Sequence, residues 1–199
     1  MQSEPMRNFD PRRIAYYEKE NYVAYYQKNW LKLLRVSVGM VKEAFGLSWP
    51  QAIYAAYLVA RAEIAFAPFP ENDVPLAESY MRRFYKFLNS AHGINIDIEE
   101  AARLDLHWWT IHRQLFGRDD NQPLADALTD WYALVYGVEP ERVRPAATLR
   151  ALGMLYSDRW VNAGKPENSP LLVQEEEALV KSYTALREAV SPSPVLSSA

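Results

Sequence analysis

Residues 97–117, DIEEAARLDLHWWTIHRQLFG, carry the marks of one complete α-helix. Asp97 is a residue type that caps helix N-termini, and Glu100 three positions later resembles the second half of a capping box. Apolar residues then recur at the three- and four-residue spacing of a helical face. Gly117 follows the last of them, where a helix end often needs a left-handed residue. This stretch therefore predicts a helix over residues 98–116.

The same signals recur along the rest of the chain. Asp10-Pro11 joins an N-cap residue to a proline at the first helical position, and Ser48 with Gln51 forms a capping box. Five of the seven glycines follow periodic runs. No segment alternates at a period of two for long enough to be a convincing strand. The first predicted helix is long enough to be broken or kinked. We predict about seven helices, over residues 11–45, 49–67, 75–91, 98–116, 123–136, 140–163 and 170–190.

This helical pattern predicts an all-α fold. Short loops between the helices favour a multi-helical bundle, which we place in a single globular domain over residues 11–190. The aromatic share of 13% indicates either a bulky, aromatic-rich core or an aromatic-lined pocket. Residues 1–10 are predicted to be an N-terminal extension. The Pro/Ser-rich residues 191–199 are predicted to be a disordered tail.

The composition argues against several classes of function. A net charge of −3 provides no basic surplus for phosphates, so we expect no nucleic-acid binding. The absence of cysteine excludes disulfides, thiolate metal sites and cysteine nucleophiles. The most apolar segment, residues 52–67, is interrupted by Arg61 and Glu63 and is shorter than a bilayer requires, so no membrane span is expected. With no secretory signal at the N-terminus, we expect a cytoplasmic protein.

Several familiar site motifs are missing from the chain. It contains no glycine-rich nucleotide or phosphate loop and no Gly-x-Ser-x-Gly elbow. The Glu-x-x-His motif of di-iron carboxylate bundles is also absent, which disfavours a standard di-iron site. The residues three before His92, His107 and His112 are Asn89, Leu104 and Trp109. The sequence therefore leaves the cofactor, if there is one, unknown.

Two polar residues stand out in the helix over residues 98–116. On a helical wheel, Asp105 and His112 fall inside its apolar arc. They are seven positions apart, so they point the same way about 10 Å from each other along the axis. Buried polar groups need partners. Either neighbouring helices supply these partners, or the two side chains line a pocket and bind a metal, haem or polar ligand, or act as acid and base. The arc itself consists of Ala101, Leu104, Trp108, Ile111 and Leu115.

Charged residues on other helices are candidate partners. Glu63 lies among apolar residues of the second predicted helix, Arg159 within an apolar arc of the sixth, and Glu176 on the apolar stripe of the last. Together with Asp105 and His112, they could converge in one polar cluster. The alternative is that each forms a buried or half-buried ion pair that fixes helix register.

Three stretches of the chain resemble one family of proteins. They are WLKLLRVSVGMVKEAFGLSWPQA at residues 30–52, PENDVPLAESYMRRFY at 70–85 and YGVEPERVRPAATLRALGMLYSDRWVNAG at 136–164. They are similar to an uncharacterised family of bacterial all-helical soluble proteins with no assigned activity. The resemblance covers most of residues 20–190. It implies a bacterial, soluble protein and transfers no catalytic residue.

Two functional hypotheses follow from the sequence. In the first, the bundle core contains a small-molecule or metal pocket built around Asp105 and His112, with Glu63, Arg159 or Glu176. If a metal binds, Asp105 and His112 are its ligands, and enzymatic activity is left open. In the second, the protein is a non-enzymatic interaction or structural homo-oligomer whose buried polar residues only fix packing. A cavity reached by both Asp105 and His112 would favour the first hypothesis.

Overall fold

Side-chain caps that the sequence predicts begin several of the helices. Asp10 accepts a hydrogen bond from the backbone N–H of Arg12 at 2.9 Å, and Asp97 accepts one from Glu100 at 3.1 Å. Gly137 adopts the left-handed conformation, with φ of 59°, directly after a helix. These contacts satisfy backbone groups that would otherwise lack partners at the helix ends.

The computed structural model describes residues 4–191, and this part of the chain contains eight α-helices and no strand. A short 3-10 helix, Glu4–Arg7, precedes them. The α-helices are α1 Pro11–Tyr26, α2 Trp30–Phe45, α3 Trp49–Phe66, α4 Val74–His92, α5 Ile98–Leu115, α6 Gln122–Tyr136, α7 Pro140–Asn162 and α8 Pro170–Val190. The predicted all-α fold is confirmed.

The helix predicted over residues 11–45 is two helices, which raises the count from seven to eight. The break falls at Lys28, whose φ of 58° is left-handed. Asn29 then caps α2 by accepting a hydrogen bond from the Lys32 backbone N–H at 3.2 Å. A lysine at the left-handed position is a weak sequence signal for the end of a helix, because glycine usually occupies such positions.

The helices are arranged in a closed ring. Each helix packs against the next one in the chain, and α8 packs against α1. All eight contribute apolar side chains to one shared core. The core is rich in aromatic residues, as predicted, with Trp108 beside Trp131 at 6.2 Å between ring centroids. The ring therefore points side chains from every helix towards a common centre.

The structure describes most of the predicted N-terminal extension but only one residue of the predicted C-terminal tail. Within the predicted N-terminal extension, Met6 and Phe9 are almost fully buried and belong to the core. Of the predicted tail, only Ser191 lies within the described residues. No helix among residues 4–191 combines the length and apolar character needed to cross a bilayer.

Candidate functional site

Three cavities that share lining residues lie between the helices. We call them the inner cavity, of about 130 Å³, the polar cavity, of about 180 Å³, and the outer cavity, of about 680 Å³. Glu63 of α3 and Trp108 of α5 line all three. Together the three cavities form what we call the chamber.

Asp105 lines the inner cavity and has strong partners of its own. Its side chain accepts hydrogen bonds from the Tyr85 hydroxyl at 2.5 Å and the Trp108 Nε1–H at 2.8 Å. The Trp131 Nε1–H in turn donates to the Tyr85 oxygen at 2.7 Å. Burial raises the pKa of Asp105 to about 6, although these hydrogen bonds act in the opposite direction. Asp105 thus has partner side chains and also borders a cavity.

His112 lies two turns further along α5 and meets a different partner. Its Nε2 atom is 3.3 Å from an oxygen of Asp158 on α7. Asp158 is buried, and it also accepts hydrogen bonds from the Tyr22 hydroxyl at 2.6 Å and the Gly117 backbone N–H at 3.0 Å. His112 lines the polar and outer cavities. Asp105 and His112 therefore belong to separate hydrogen-bond networks that border different cavities of the chamber.

Glu63 has no partner for its carboxylate. Its side chain makes no hydrogen bond or ion pair with any residue from 4 to 191. Its side chain is solvent-accessible and faces cavity space that the neighbouring helices line. Burial, with a further contribution from the charge of Asp105, raises the pKa of Glu63 to about 7. Glu63 is thus a hydrogen-bond acceptor that faces the chamber without a protein donor.

Glu175 of α8 is a second carboxylate with an unsatisfied oxygen. It lines the polar cavity and is only 1% exposed. Its Oε2 atom has no hydrogen-bond partner. Burial raises the pKa of Glu175 to about 8, against the opposing effect of the Ser157 hydroxyl. An unpaired buried acceptor of this kind costs stability.

Arg150 of α7 connects four helices at the centre of the ring. Its Nε–H donates to Glu18 of α1 at 2.9 Å. Its guanidinium also lies over Trp108 of α5 and Trp131 of α6, at 5.1 and 5.6 Å from the ring centroids. Glu18 receives a further hydrogen bond from the Tyr183 hydroxyl of α8. The charge of Arg150 is therefore balanced by Glu18.

The chamber does not include two of the five predicted site residues. Arg159 lies on the surface, where its Nη2 atom is 2.6 Å from Asp119. Glu176 pairs with the Lys19 ammonium group at 2.5 Å in a groove between α1 and α8. The structure thus brings Glu63, Asp105 and His112 to the chamber and corrects the predicted convergence of Arg159 and Glu176.

Sequence reasoning missed three central residues, Arg150, Asp158 and Glu175. On α7 it followed the stripe of large apolar residues, whereas the deeply buried side contains small residues such as Ala147 and Ala151. Arg150 and Asp158 lie at helical spacing from these alanines, and that pattern is the signal that could have found them. Glu175 directly precedes the predicted Glu176, so an error of one position on the wheel exchanged a buried residue for a half-buried one.

The chamber has a definite chemical character. It combines carboxylates, the two arginines Arg113 and Arg150, and aromatic walls. No group of three or more His, Asp or Glu side chains within residues 4–191 has a metal-binding arrangement. The fold and the site together define an all-α ring of helices around a polar, aromatic-lined chamber. No known protein family, curated protein or solved structure matches the chain.

Proposed function

We propose that this protein binds a small organic molecule in the chamber. The observation that carries the proposal is the carboxylate of Glu63, which faces all three cavities and has no partner among the described residues. The outer cavity, at about 680 Å³, falls in the usual size range of ligand pockets. Trp108 and Trp109 supply aromatic surface beside this polar group, a combination typical of ligand sites.

The contrast with Asp105 supports this proposal over a purely structural role. A buried acid that only fixes packing is expected to be paired, as Asp105 is with Tyr85 and Trp108. Glu63 and the Oε2 atom of Glu175 have no such partners. A ligand that donates a hydrogen bond to the accessible carboxylate of Glu63 would supply the partner that the protein does not provide.

The proposal is tested by filling the cavity. Ala60 lines the outer cavity, so an Ala60→Trp substitution is expected to occupy part of it. A panel of small aromatic amines, alcohols and carboxylates is screened by thermal unfolding, because a ligand of the folded state raises the unfolding midpoint. We expect members of the panel to stabilise the wild-type protein and to lose this effect in Ala60→Trp.

The control is Ser90→Trp, which places the same ring on the exposed surface of α4. This variant is expected to respond to the panel as the wild-type protein does. A panel in which no compound distinguishes Ala60→Trp from Ser90→Trp would contradict binding in the chamber.

A second candidate function is self-association. Exposed apolar side chains concentrate on α2 and α3, where Leu31 is 84% exposed and Ile64 is 66% exposed. On α3, Trp49, Ile53 and Tyr57 recur every four residues along one exposed side. Monomeric proteins rarely expose a large continuous apolar patch, and symmetric dimers are the commonest assemblies. We propose a second copy of this chain as the occupant of this surface.

Light scattering tests the assembly. The wild-type protein is expected to have twice the chain mass of 22.9 kDa. Leu31→Glu with Ile53→Glu is expected to have the mass of one chain, because two charges cannot be buried in the interface. The control is Val173→Glu, which places a charge at an exposed apolar position of α8. A wild-type protein that remains monomeric at high concentration would exclude this candidate.

A further inference from the structure

The polar cavity contains a surplus of hydrogen-bond acceptors. Three carboxylates line it, Glu18 from α1, Glu63 from α3 and Glu175 from α8. Arg150 is the one lysine or arginine among the described residues that line the same cavity. Because Arg150 donates to Glu18 at 2.9 Å, its charge does not compensate the other two acids.

The donors near these acids are already in use. The Tyr22 hydroxyl donates to Asp158 at 2.6 Å, and the same carboxylate oxygen lies 3.3 Å from His112 Nε2. The Glu63 side chain has no hydrogen-bond partner within residues 4–191, and Oε2 of the deeply buried Glu175 has none either. Of these two acids, Glu63 presents its unpaired acceptors on the chamber wall, where a ligand can reach them.

The unpaired acceptors require a ligand group that donates hydrogen bonds. Carboxylate oxygens accept hydrogen bonds and bind positive charge, so the missing partner is an N–H donor and preferably a cation. The Tyr132 hydroxyl in the inner cavity also lacks a partner, and its oxygen can accept as well. A bound cation would favour the ionised form of Glu63, whereas a bound anion would oppose its ionisation.

The aromatic walls of the outer cavity favour the same kind of ligand. Trp108, Trp109, Tyr22 and Tyr26 line it next to Glu63. The faces of aromatic rings attract organic cations as well as apolar groups. The protein already uses this interaction nearby, where the guanidinium of Arg113 lies 4.0 Å from the ring centroid of Phe66.

We infer that the ligand of the chamber is a small organic amine bound as its ammonium cation. The ammonium group donates hydrogen bonds to Glu63, and the apolar part of the molecule lies against Trp108 and Trp109 in the outer cavity. This inference rests on the proposed function, because it names the class of ligand for the same chamber. It adds that Glu63 selects positive charge.

Three probes of similar shape and different charge test the inference. They are phenethylamine, phenethyl alcohol and hydrocinnamate, and their dissociation constants are measured by titration calorimetry with the full chain. A charge-assisted hydrogen bond in a shielded site is worth enough that we expect the amine to bind at least about tenfold more tightly than the alcohol. Hydrocinnamate is expected to bind more weakly than either.

Two variants assign this preference to one residue. Glu63→Gln keeps the shape of the side chain and removes its charge, so the preference for the amine over the alcohol is expected to disappear while the alcohol still binds. Glu177→Gln, at an exposed position of α8, is expected to keep the wild-type preference. Circular dichroism verifies that both variants are folded.

The outcomes separate the inference from the proposed function. If the alcohol binds as tightly as the amine, and Ala60→Trp abolishes both, the chamber is a ligand site and the inference of an amine is overturned. An equal loss of preference in Glu63→Gln and Glu177→Gln also overturns it. If none of the three probes binds to the wild-type protein, the inference of an amine is overturned directly.

Discussion

At the scale of single residues, the chamber contains acids in two different states. Asp105 receives hydrogen bonds from Tyr85 and Trp108, which offset part of the cost of its burial. Glu63 and Glu175 receive much less compensation, and burial raises the pKa of both, to about 7 and about 8. Such acids favour the protonated form in the folded protein and are destabilising when they ionise.

This difference predicts how stability depends on pH. The pKa of Glu175 is about 8 in the folded protein and about 4.5 in the unfolded chain, so the folded state holds the proton more tightly. The stabilising effect of that proton is complete below the lower value and is lost as pH rises towards the higher one. We expect urea unfolding to report a free energy of unfolding that falls between these values, by at most about 1.4 kcal/mol per pH unit for one acid.

The substitution Glu175→Gln shows how much of this change in the free energy of unfolding with pH comes from Glu175. Glutamine cannot ionise, so the variant is expected to lose less stability than the wild-type protein as pH rises through the same range. Glu177→Gln, two positions further along α8, is the matched control and is expected to keep the wild-type slope. Equal slopes in all three proteins would mean that Glu175 ionises in the folded state as readily as in water.

At the scale of elements, the sequence predicts what local chemistry determines. Caps such as Asp97 and Ser48 begin helices where expected, because each requires only a few neighbouring residues. The break between α1 and α2 at Lys28 was expected only as a kink or break somewhere within residues 11–45. Its position depends on a left-handed residue that is neither glycine nor asparagine.

The predictions for the site depended on which side of each helix is buried, and the structure differs from the predictions on this point. Asp105 lies on a buried face, whereas His112 is half-buried and Glu63 is solvent-accessible. Arg159 was chosen from the side of α7 with the larger apolar residues. The more deeply buried side has small residues because α8 crosses it closely, as at Gly153. A helix packed on several sides has no single apolar stripe to follow.

The crossing of α7 and α8 at Gly153 predicts an unusual pair of substitutions. A Cβ atom added there would lie 2.9 Å from the Leu179 Cδ2 atom and 3.0 Å from its Cγ atom. Gly153→Ala is therefore expected to lower the free energy of unfolding by about 1–3 kcal/mol through overpacking, although alanine favours a helix. Urea denaturation at constant pH measures this change.

The matched background is Leu179→Ala, in which the obstructing side chain is shortened. There the same Gly153→Ala change is expected to stabilise the protein by up to about 1 kcal/mol, because only helix propensity remains. This reversal of sign distinguishes a steric contact from a general intolerance of substitution. A destabilising effect of equal size in both backgrounds would show that Leu179 is not the obstacle.

At the scale of the whole molecule, the closed ring explains why polar groups far apart in sequence share one chamber. The contact between α8 and α1 completes the ring and brings Glu175 and Glu18 to the same cavity. Arg150 is central to this arrangement, because it pairs with Glu18 and lies over aromatic rings from α5 and α6. It also supplies the cation that balances the charge of Glu18.

Removal of Arg150 is therefore expected to weaken the whole bundle. Arg150→Met keeps much of the side-chain volume but leaves Glu18 buried without a cation near Glu63 and Glu175, so we expect a loss of about 3–5 kcal/mol in the free energy of unfolding. The loss is expected to be larger at about pH 9 than at about pH 5.5, because Glu63 and Glu175, with pKa values of about 7 and about 8, add negative charge as pH rises. Urea unfolding of Arg150→Met and of the double variant with Glu18→Gln measures both effects.

The double variant is expected to regain stability, since it no longer buries the unpaired Glu18 charge. If Glu18→Gln provided no recovery, the pairing of Arg150 with Glu18 would not be the interaction that stabilises the ring.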